Sequence, residues 1–200
     1  MENKKKVDWL DWLLKILIVL GIVGTIYFGF APAKNYMTAK QEEAKIEEVA
    51  KKVVENTHDY PDVKEIKKST NEDVVGWIRV PNTNIDEPIL QTTDNDYYLT
   101  HSLTKEYLDI GSIFLDYKAS TNLDNNFNFV FGHNTYSDNK FTQLRKFSDS
   151  EFNKANKTFY IFTENNVKIT YRIVGQGLIP PVFPLYTEDN VKLNVDNLTE

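Results

Sequence analysis

Three histidines, His58, His101 and His133, are the side chains whose ordinary pKa lies near neutrality, and the sequence contains no cysteine. Without cysteine, these 200 residues hold no thiol nucleophile, no thiolate metal ligand and no disulfide. Separate histidines without carboxylates at matching spacings predict no metal site, and no phosphate loop or dinucleotide motif indicates a cofactor. Candidates for chemistry are therefore single residues, distinguished by their surroundings in the sequence.

His133 is the histidine whose surroundings favour chemistry. It follows the apolar run Phe129–Phe131 and a glycine, and it precedes the polar residue Asn134. A strand that ends in a loop is a place where a rigid scaffold presents a general acid or base. A structural histidine fits the same position, so both interpretations stay open on this evidence. We expect His101 to be structural and His58 to be a solvated linker residue.

The charge balance excludes one large class of partners. The net charge is −6, and only Arg79, Arg145 and Arg172 are arginines among 23 basic residues. Bulk nucleic-acid binding needs a basic face, so nucleic acid is not an expected partner. Arginine is also the preferred side chain for a bidentate clamp on an oxyanion, and candidates for such a clamp are few.

The region after residue 61 consists of short β-branched and aromatic runs separated by turn signals, which predicts strands. The predicted strands are Val74–Val80, Ile85–Gln91, Gly111–Asp116, Asn128–Gly132, Lys157–Phe162 and Val167–Gly175. Pro88 predicts that the second is an edge or bulged strand. Glu164–Asn166 predicts a hairpin turn, and Phe141–Phe152 a short helical insertion. This pattern predicts an all-β barrel or sandwich.

The N-terminal residues predict a membrane anchor. From Trp12 to Ala33 the chain is apolar and interrupted only by Lys15, which lies near one end and can reach the interface. The basic cluster Lys4–Lys6 predicts a cytoplasmic N-terminus, so that everything after Ala33 faces outside in a single-pass protein. A cleaved signal peptide is the rival interpretation, and the length of the apolar run favours the uncleaved anchor.

A polar helix is predicted between the anchor and the strands. Glu42, Glu43, Glu47 and Glu48 meet Lys45, Lys51 and Lys52 at separations of three and four residues, which support a helix. A solvated stalk and a helix packed on the following domain both fit this pattern. We therefore predict an anchor over residues 1–33, a helical tether over 34–68 and a β domain over 69–200.

Six short motifs then resemble one family in their order and spacing, over about residues 71–152. They are Asp73–Ile78, Pro81–Asp86, Pro88–Gln91, Asp94–Leu99, Gly111–Asp116 and Phe131–Asn134. Each motif alone is weak, but the ordered set resembles the class B sortases, membrane-anchored cysteine transpeptidases of Gram-positive bacteria. The resemblance implies a sortase-type β-barrel with an N-terminal transmembrane helix and a helical tether.

The resemblance also implies a reaction and a set of partners. In the family a cysteine cleaves the C-terminal sorting signal of a surface protein after Thr, and an amine of peptidoglycan or of its lipid-linked precursor accepts the acyl group. His133 matches the family's general acid/base, while Asn95 and Leu99 match positions lining the sorting-signal groove. No cofactor and no metal are implied, and the domain is expected to be extracellular on the cell membrane.

The sequence departs from the family where the nucleophile is expected. The family's cysteine lies at the end of a late strand in a TLxTC-like motif, with an arginine on the next strand, and neither motif occurs here. Arg172 does not match that arginine. We expect a truncated or interrupted gene product, with a remodelled non-catalytic homologue as the alternative. This chain is predicted to be inactive, which leaves a peptide-binding module and a structural cell-envelope protein as the rival functions.

Overall fold

The computed structural model describes residues 9–54, 61–135 and 138–177. They fall into two compact units, one ending at Gln41 and one beginning at Glu42. The first element, α1, spans Trp9–Val54. Its first 20 residues, Trp9–Phe28, form a helix long and apolar enough to cross a membrane, and none of this stretch is buried in the protein.

The part of α1 that begins at Glu42 belongs to the second unit. Glu42 and Ile46 are buried, and the Glu42 carboxylate accepts a hydrogen bond of 3.0 Å from the Leu103 backbone amide. A buried carboxylate needs such a donor. These contacts favour a helix packed on the domain over a solvated stalk.

A six-stranded sheet forms the body of the second unit, in the order β4-β3-β2-β1-β5-β6. The strands are β1 (Val74–Arg79), β2 (Asp86–Leu90), β3 (Ile113–Leu115), β4 (Val130–Phe131), β5 (Thr158–Thr163) and β6 (Lys168–Arg172). β2 and β3 are parallel, and all other pairs are antiparallel. The helical elements are α2 (Val63–Ser69), the 3₁₀ turn Tyr97–Leu99, the 3₁₀ helix Lys140–Ser148 and α3 (Ser150–Ala155).

Every predicted strand region contains or overlaps a strand of the sheet. The prediction from Pro88 that the second strand is an edge or bulged strand is wrong. β2 lies between β1 and β3. The parallel partner β3 pairs only with Ile89 and Leu90, so the missing N–H of Pro88 falls outside the part of β2 that β3 covers. The register shift lies in β1, between Val74 and Gly76.

Both faces of β1 are buried, which explains its continuous apolar run. Trp77 packs in a cluster with Ile66 of α2, and its neighbour Ile78 packs in a second cluster with Phe147 of the 3₁₀ helix. The indole N–H of Trp77 donates a hydrogen bond of 2.6 Å to Asp86 on β2. A strand covered on one face alone would alternate apolar and polar residues.

The sheet is curled. Among the described strands, β4 and β6 are its two edges, and Val130 of β4 and Tyr171 of β6 line the same cavity of about 510 Å³. Phe159 and Ile161 of β5 also line it, so the cavity is largely apolar. Two edges of a flat sheet of this width would lie too far apart to share one cavity.

Candidate active site

A second cavity, of about 410 Å³, lies at the carboxyl end of β4 and contains His133. Asn95 and Leu99 also line it, so the structure brings together the three residues that the sequence singled out. The complete lining consists of Asn95, Leu99, Phe114, Val130, Phe131, Gly132, His133 and Phe141. The surroundings of the imidazole are therefore aromatic and aliphatic on most sides.

β4 and the residue after it place His133. Phe131 pairs with Phe114 of β3, and their rings lie 5.3 Å apart between centroids. A Cβ added at Gly132 would lie 3.0 Å from two ring atoms of Phe141, so glycine at this position allows the Phe141 ring to pack directly before His133. The histidine therefore follows a short, tightly packed strand.

One ring nitrogen of His133 lacks a hydrogen-bond partner among the described residues. This atom, Nδ1, is buried. Buried polar atoms are nearly always bonded, so this nitrogen has capacity for a hydrogen bond to a water or a ligand. Asn128 Oδ1 and Gln143 Oε1 are buried and unpaired in the same way, so a functional and a structural His133 both fit this observation.

The loop that carries Asn95 is held by a carboxylate. Asp94 Oδ1 accepts hydrogen bonds of 2.8 Å from the backbone amides of Asp96 and Tyr97. These two amides, Tyr97 first, lower the pKa of Asp94, because they bind its ionised form. The carboxylate thus fixes the start of the 3₁₀ turn Tyr97–Leu99.

Asn95 is already engaged inside the protein. Its Nδ2 donates to Asp116 Oδ2 at 3.0 Å, and its Oδ1 accepts from the Tyr117 backbone amide at 3.0 Å. An amide side chain has two N–H groups and two oxygen lone pairs, so one of each remains for a ligand. The side chain fastens its loop to the residues after β3 and keeps limited capacity for recognition.

Leu99 is 36% exposed in the cavity, and its buried neighbour Tyr98 fixes its position. The Tyr98 hydroxyl donates to Asp73 at 2.7 Å and accepts from Asn71 at 2.9 Å. Burial, followed by the hydrogen bond to Asp73, raises the pKa of Tyr98 far above its ordinary value. Gly111 supports the same loop with a φ of +52°, and a Cβ there would collide with the carbonyl oxygens of Tyr98 and Leu99.

No arginine lines the His133 cavity within the described ranges. Arg172 lines the larger cavity, and Arg79 is bound to Asp86 at 2.9 Å.

His101 stacks on Tyr97 with ring centroids 4.0 Å apart, and its Nδ1 lies 2.8 Å from the Tyr97 carbonyl oxygen, contacts that fit a structural histidine. His58 lies outside the described residues. The described residues contain no cluster of three or more potential ligands for a metal ion.

Comparison with known proteins gives the family. Sortase B from Clostridium perfringens, in its crystal structure, is 32% identical to this chain with a TM-score of 0.57. The match covers 68% of this chain and 79% of the crystallised chain. The chain belongs to the class B sortases. Sortase B from Bacillus anthracis, at 24% identity, matches in fold with a TM-score of 0.65 over 82% of this chain and 80% of that one. The predicted sortase-type fold is thereby confirmed.

Two curated relatives are also sortase B proteins. Sortase B of Listeria monocytogenes is 43% identical over 89 residues, which are 44% of this chain and 36% of that protein. Sortase B of Staphylococcus aureus is 29% identical over 149 residues, 72% of this chain and 61% of that protein. The chain thus matches about a third and about three fifths of these two relatives. No protein-family model matches it.

Sequence reasoning missed most of the cavity wall of this sortase. Phe114, Phe131 and Phe141 line it, yet each also reads as an ordinary core residue in its own segment. The alternation along β3 and β4 indicates which residues share a face, and it identifies Phe114 and Phe131 as a pair. Nothing local distinguishes Phe141, because its contacts lie on another element.

Proposed function

We propose that this class B sortase binds C-terminal sorting signals of surface proteins in the cavity that holds His133. The observation that carries the proposal is that His133, Asn95 and Leu99 line one cavity of about 410 Å³. Aromatic and aliphatic walls suit the apolar side chains of an extended peptide, and the remaining N–H of Asn95 suits a peptide carbonyl oxygen. The proposed peptide binding therefore depends on apolar walls and a hydrogen-bond donor in the same cavity.

The reaction proposed for the complete site is acyl transfer from a sorting signal to an amine of peptidoglycan or of its lipid-linked precursor. A cysteine thiolate attacks the carbonyl carbon after Thr, and the C–N bond breaks as the leaving amine gains a proton. The incoming amine then attacks the thioester, loses a proton and releases the thiolate. His133 would donate the first proton and accept the second, which a group titrating near neutrality does efficiently.

These 200 residues contain no cysteine, so we propose that the chain alone holds the peptide without cleaving it. A hydroxyl is a far weaker nucleophile unless a base activates it, and no serine or threonine lines the cavity among the described residues. Peptide binding without turnover is therefore the activity proposed for the chain as it stands.

We further propose that the protein is held in the cell membrane by a single span within residues 1–33. The span would include Trp9–Phe28, with a cytoplasmic N-terminus. Residues 34–68 would tether the β domain of residues 69–200 outside the cell. This arrangement would place the His133 cavity on the side where surface proteins and peptidoglycan precursors are found.

The test is fluorescence anisotropy on the full chain in lipid nanodiscs. The probes are labelled peptides of the LPxTG, NPxTN and PPxTG types, with scrambled sequences as negative controls. We expect saturable binding of at least one type, weakened at least tenfold by Leu99→Arg. Leu144→Arg is the matched control, because Leu144 is 38% exposed and lines the larger cavity instead. Absence of saturable binding, or equal loss in both variants, would refute the proposal.

A further inference from the structure

The 3₁₀ helix Lys140–Ser148 begins at a buried lysine. The Lys140 ammonium forms an ion pair with Glu87 of β2, and the two side chains are 4% and 11% exposed. A charge withdrawn from water in this way is strongly unfavourable unless an opposite charge meets it. The pair therefore fixes the start of the 3₁₀ helix to an inner strand of the sheet.

The backbone at Lys140 is itself constrained. Its φ is +51°, in the left-handed region that residues with a Cβ rarely adopt. Such a conformation persists where surrounding contacts hold it in place. The same residue carries the buried ion pair with Glu87, so its side chain and its backbone are both constrained.

The next two residues brace the chain on either side of His133. The Phe141 ring packs at Gly132, immediately before the histidine. The Thr142 hydroxyl oxygen accepts a hydrogen bond of 2.8 Å from the Thr135 backbone amide, two residues after it. Lys140, Phe141 and Thr142 thus connect one inner strand to both flanks of His133.

Phe141 lines both the His133 cavity and the larger cavity. Val130 of β4 also lines both cavities, so the two spaces share these two side chains. A shift of the Phe141 ring would change the wall of the His133 cavity and the packing under Gly132 together.

We infer that the Lys140–Glu87 ion pair positions His133: it holds Phe141 and Thr142 against the two flanks of the histidine. Lys140 and Glu87 are positioning residues, since neither lines the His133 cavity. The functional meaning of this arrangement rests on the proposed function, but the geometric claim concerns only the placement of the imidazole.

The test is NMR of the full chain in micelles with ¹³C-labelled histidine, its ring signals assigned with His58→Gln, His101→Gln and His133→Gln. In Lys140→Met we expect the His133 signal to shift or broaden by more than its line width while the His101 signal stays in place. The charge-swapped variant Lys140→Glu/Glu87→Lys should return the His133 signal towards its original position.

Lys67→Met is the matched control, because Lys67 pairs with Glu164 at 2.7 Å in a partly exposed ion pair away from the site. It should leave both histidine signals unmoved. If Lys140→Met does not fold, Glu87→Gln removes one charge with little change of shape and should move the His133 signal in the same direction by less.

Two results would overturn the inference. One is a folded Lys140→Met or Glu87→Gln variant whose His133 signal is unchanged, which would assign the pair to stability alone. The other is an equal displacement of the His133 and His101 signals, which would indicate a general loss of packing. The measurement needs no peptide, so a failure of peptide binding and a failure of this inference are distinguishable.

Discussion

Replacing Asn71 by alanine should strongly destabilise the domain and loosen the wall of the His133 cavity. Asn71 is 5% exposed, and its Nδ2 donates to the Tyr98 hydroxyl at 2.9 Å and to the Leu103 carbonyl at 2.7 Å. Its Oδ1 accepts from the Asp73 amide at 2.9 Å. At about 1 kcal/mol for each of the three hydrogen bonds, with a further cost for buried partners left unpaired, the expected loss is about 3–5 kcal/mol.

Trp77 offers a direct assay. In full chain carrying Trp9→Phe and Trp12→Phe, Trp77 is the single remaining tryptophan, and it is fully buried in the same cluster as Tyr98. Urea unfolding in micelles, followed by Trp77 fluorescence, should show the midpoint lowered by at least about 1 M in Asn71→Ala.

The matched control is Asn122→Ala, because Asn122 is exposed. Surface substitutions of this kind usually change stability by no more than about 0.5 kcal/mol. If Asn71→Ala loses no more stability than Asn122→Ala, the hydrogen bonds of Asn71 do not hold this part of the domain and the account of the Tyr98–Leu99 wall is wrong.

Three further outcomes follow. Gly111→Ala should destabilise the domain by about 2 kcal/mol or more in the same urea assay, whereas Gly24→Ala, with open space around its Cβ position, should not; equal effects would contradict the collision at Gly111. Folding lowers the pKa of Asp94, so the ionised carboxylate stabilises the folded protein. This stabilisation is fully present above the pKa of the unfolded state, near pH 4, and is lost as the pH falls through the lower pKa of the folded state. The NMR signal of the Tyr97 amide should therefore shift below about pH 4 in the wild type. In Asp94→Ala it should be displaced at every pH, and in the control Asp96→Ala it should follow the wild type. A wild-type signal that does not change with pH would refute this. Finally, protease added to intact wall-stripped cells should remove the β domain of residues 69–200, and a fully protected domain would contradict the proposed topology.

The strands could be located from the sequence because their physical causes are local. β-branched and aromatic runs between turn residues identify β1 and β5, and Glu164–Asn166 is the turn of a hairpin in which Asn166 adopts a φ of +58°. The position of β2 inside the sheet is not determined by its local sequence. Pro88 lacks a backbone N–H, but whether a neighbouring strand needs that donor depends on where the pairing between β2 and β3 ends.

The site was predictable to the same extent. His133 stands out because a strand end and its loop are adjacent in sequence. The ion pair of Lys140 with Glu87 and the bond of Asn95 to Asp116 join residues 53 and 21 positions apart. Such contacts depend on the strand order, which no single segment specifies, so the supports of His133 could not be foreseen.

We propose that His133 occupies the proton-transfer position of a class B sortase. Peptide hydrolysis tests it most directly, with quenched fluorescent LPxTG-, NPxTN- and PPxTG-type peptides and a chimera in which this chain is continued by the cysteine-bearing C-terminal segment of the C. perfringens enzyme. We expect no turnover by the 200-residue chain and turnover by the chimera. In the chimera, His133→Ala should lower turnover by about 100-fold or more, and His101→Ala should lower it little. Turnover by the unextended chain above its His133→Ala control, or a chimera equally active with and without His133, would contradict it.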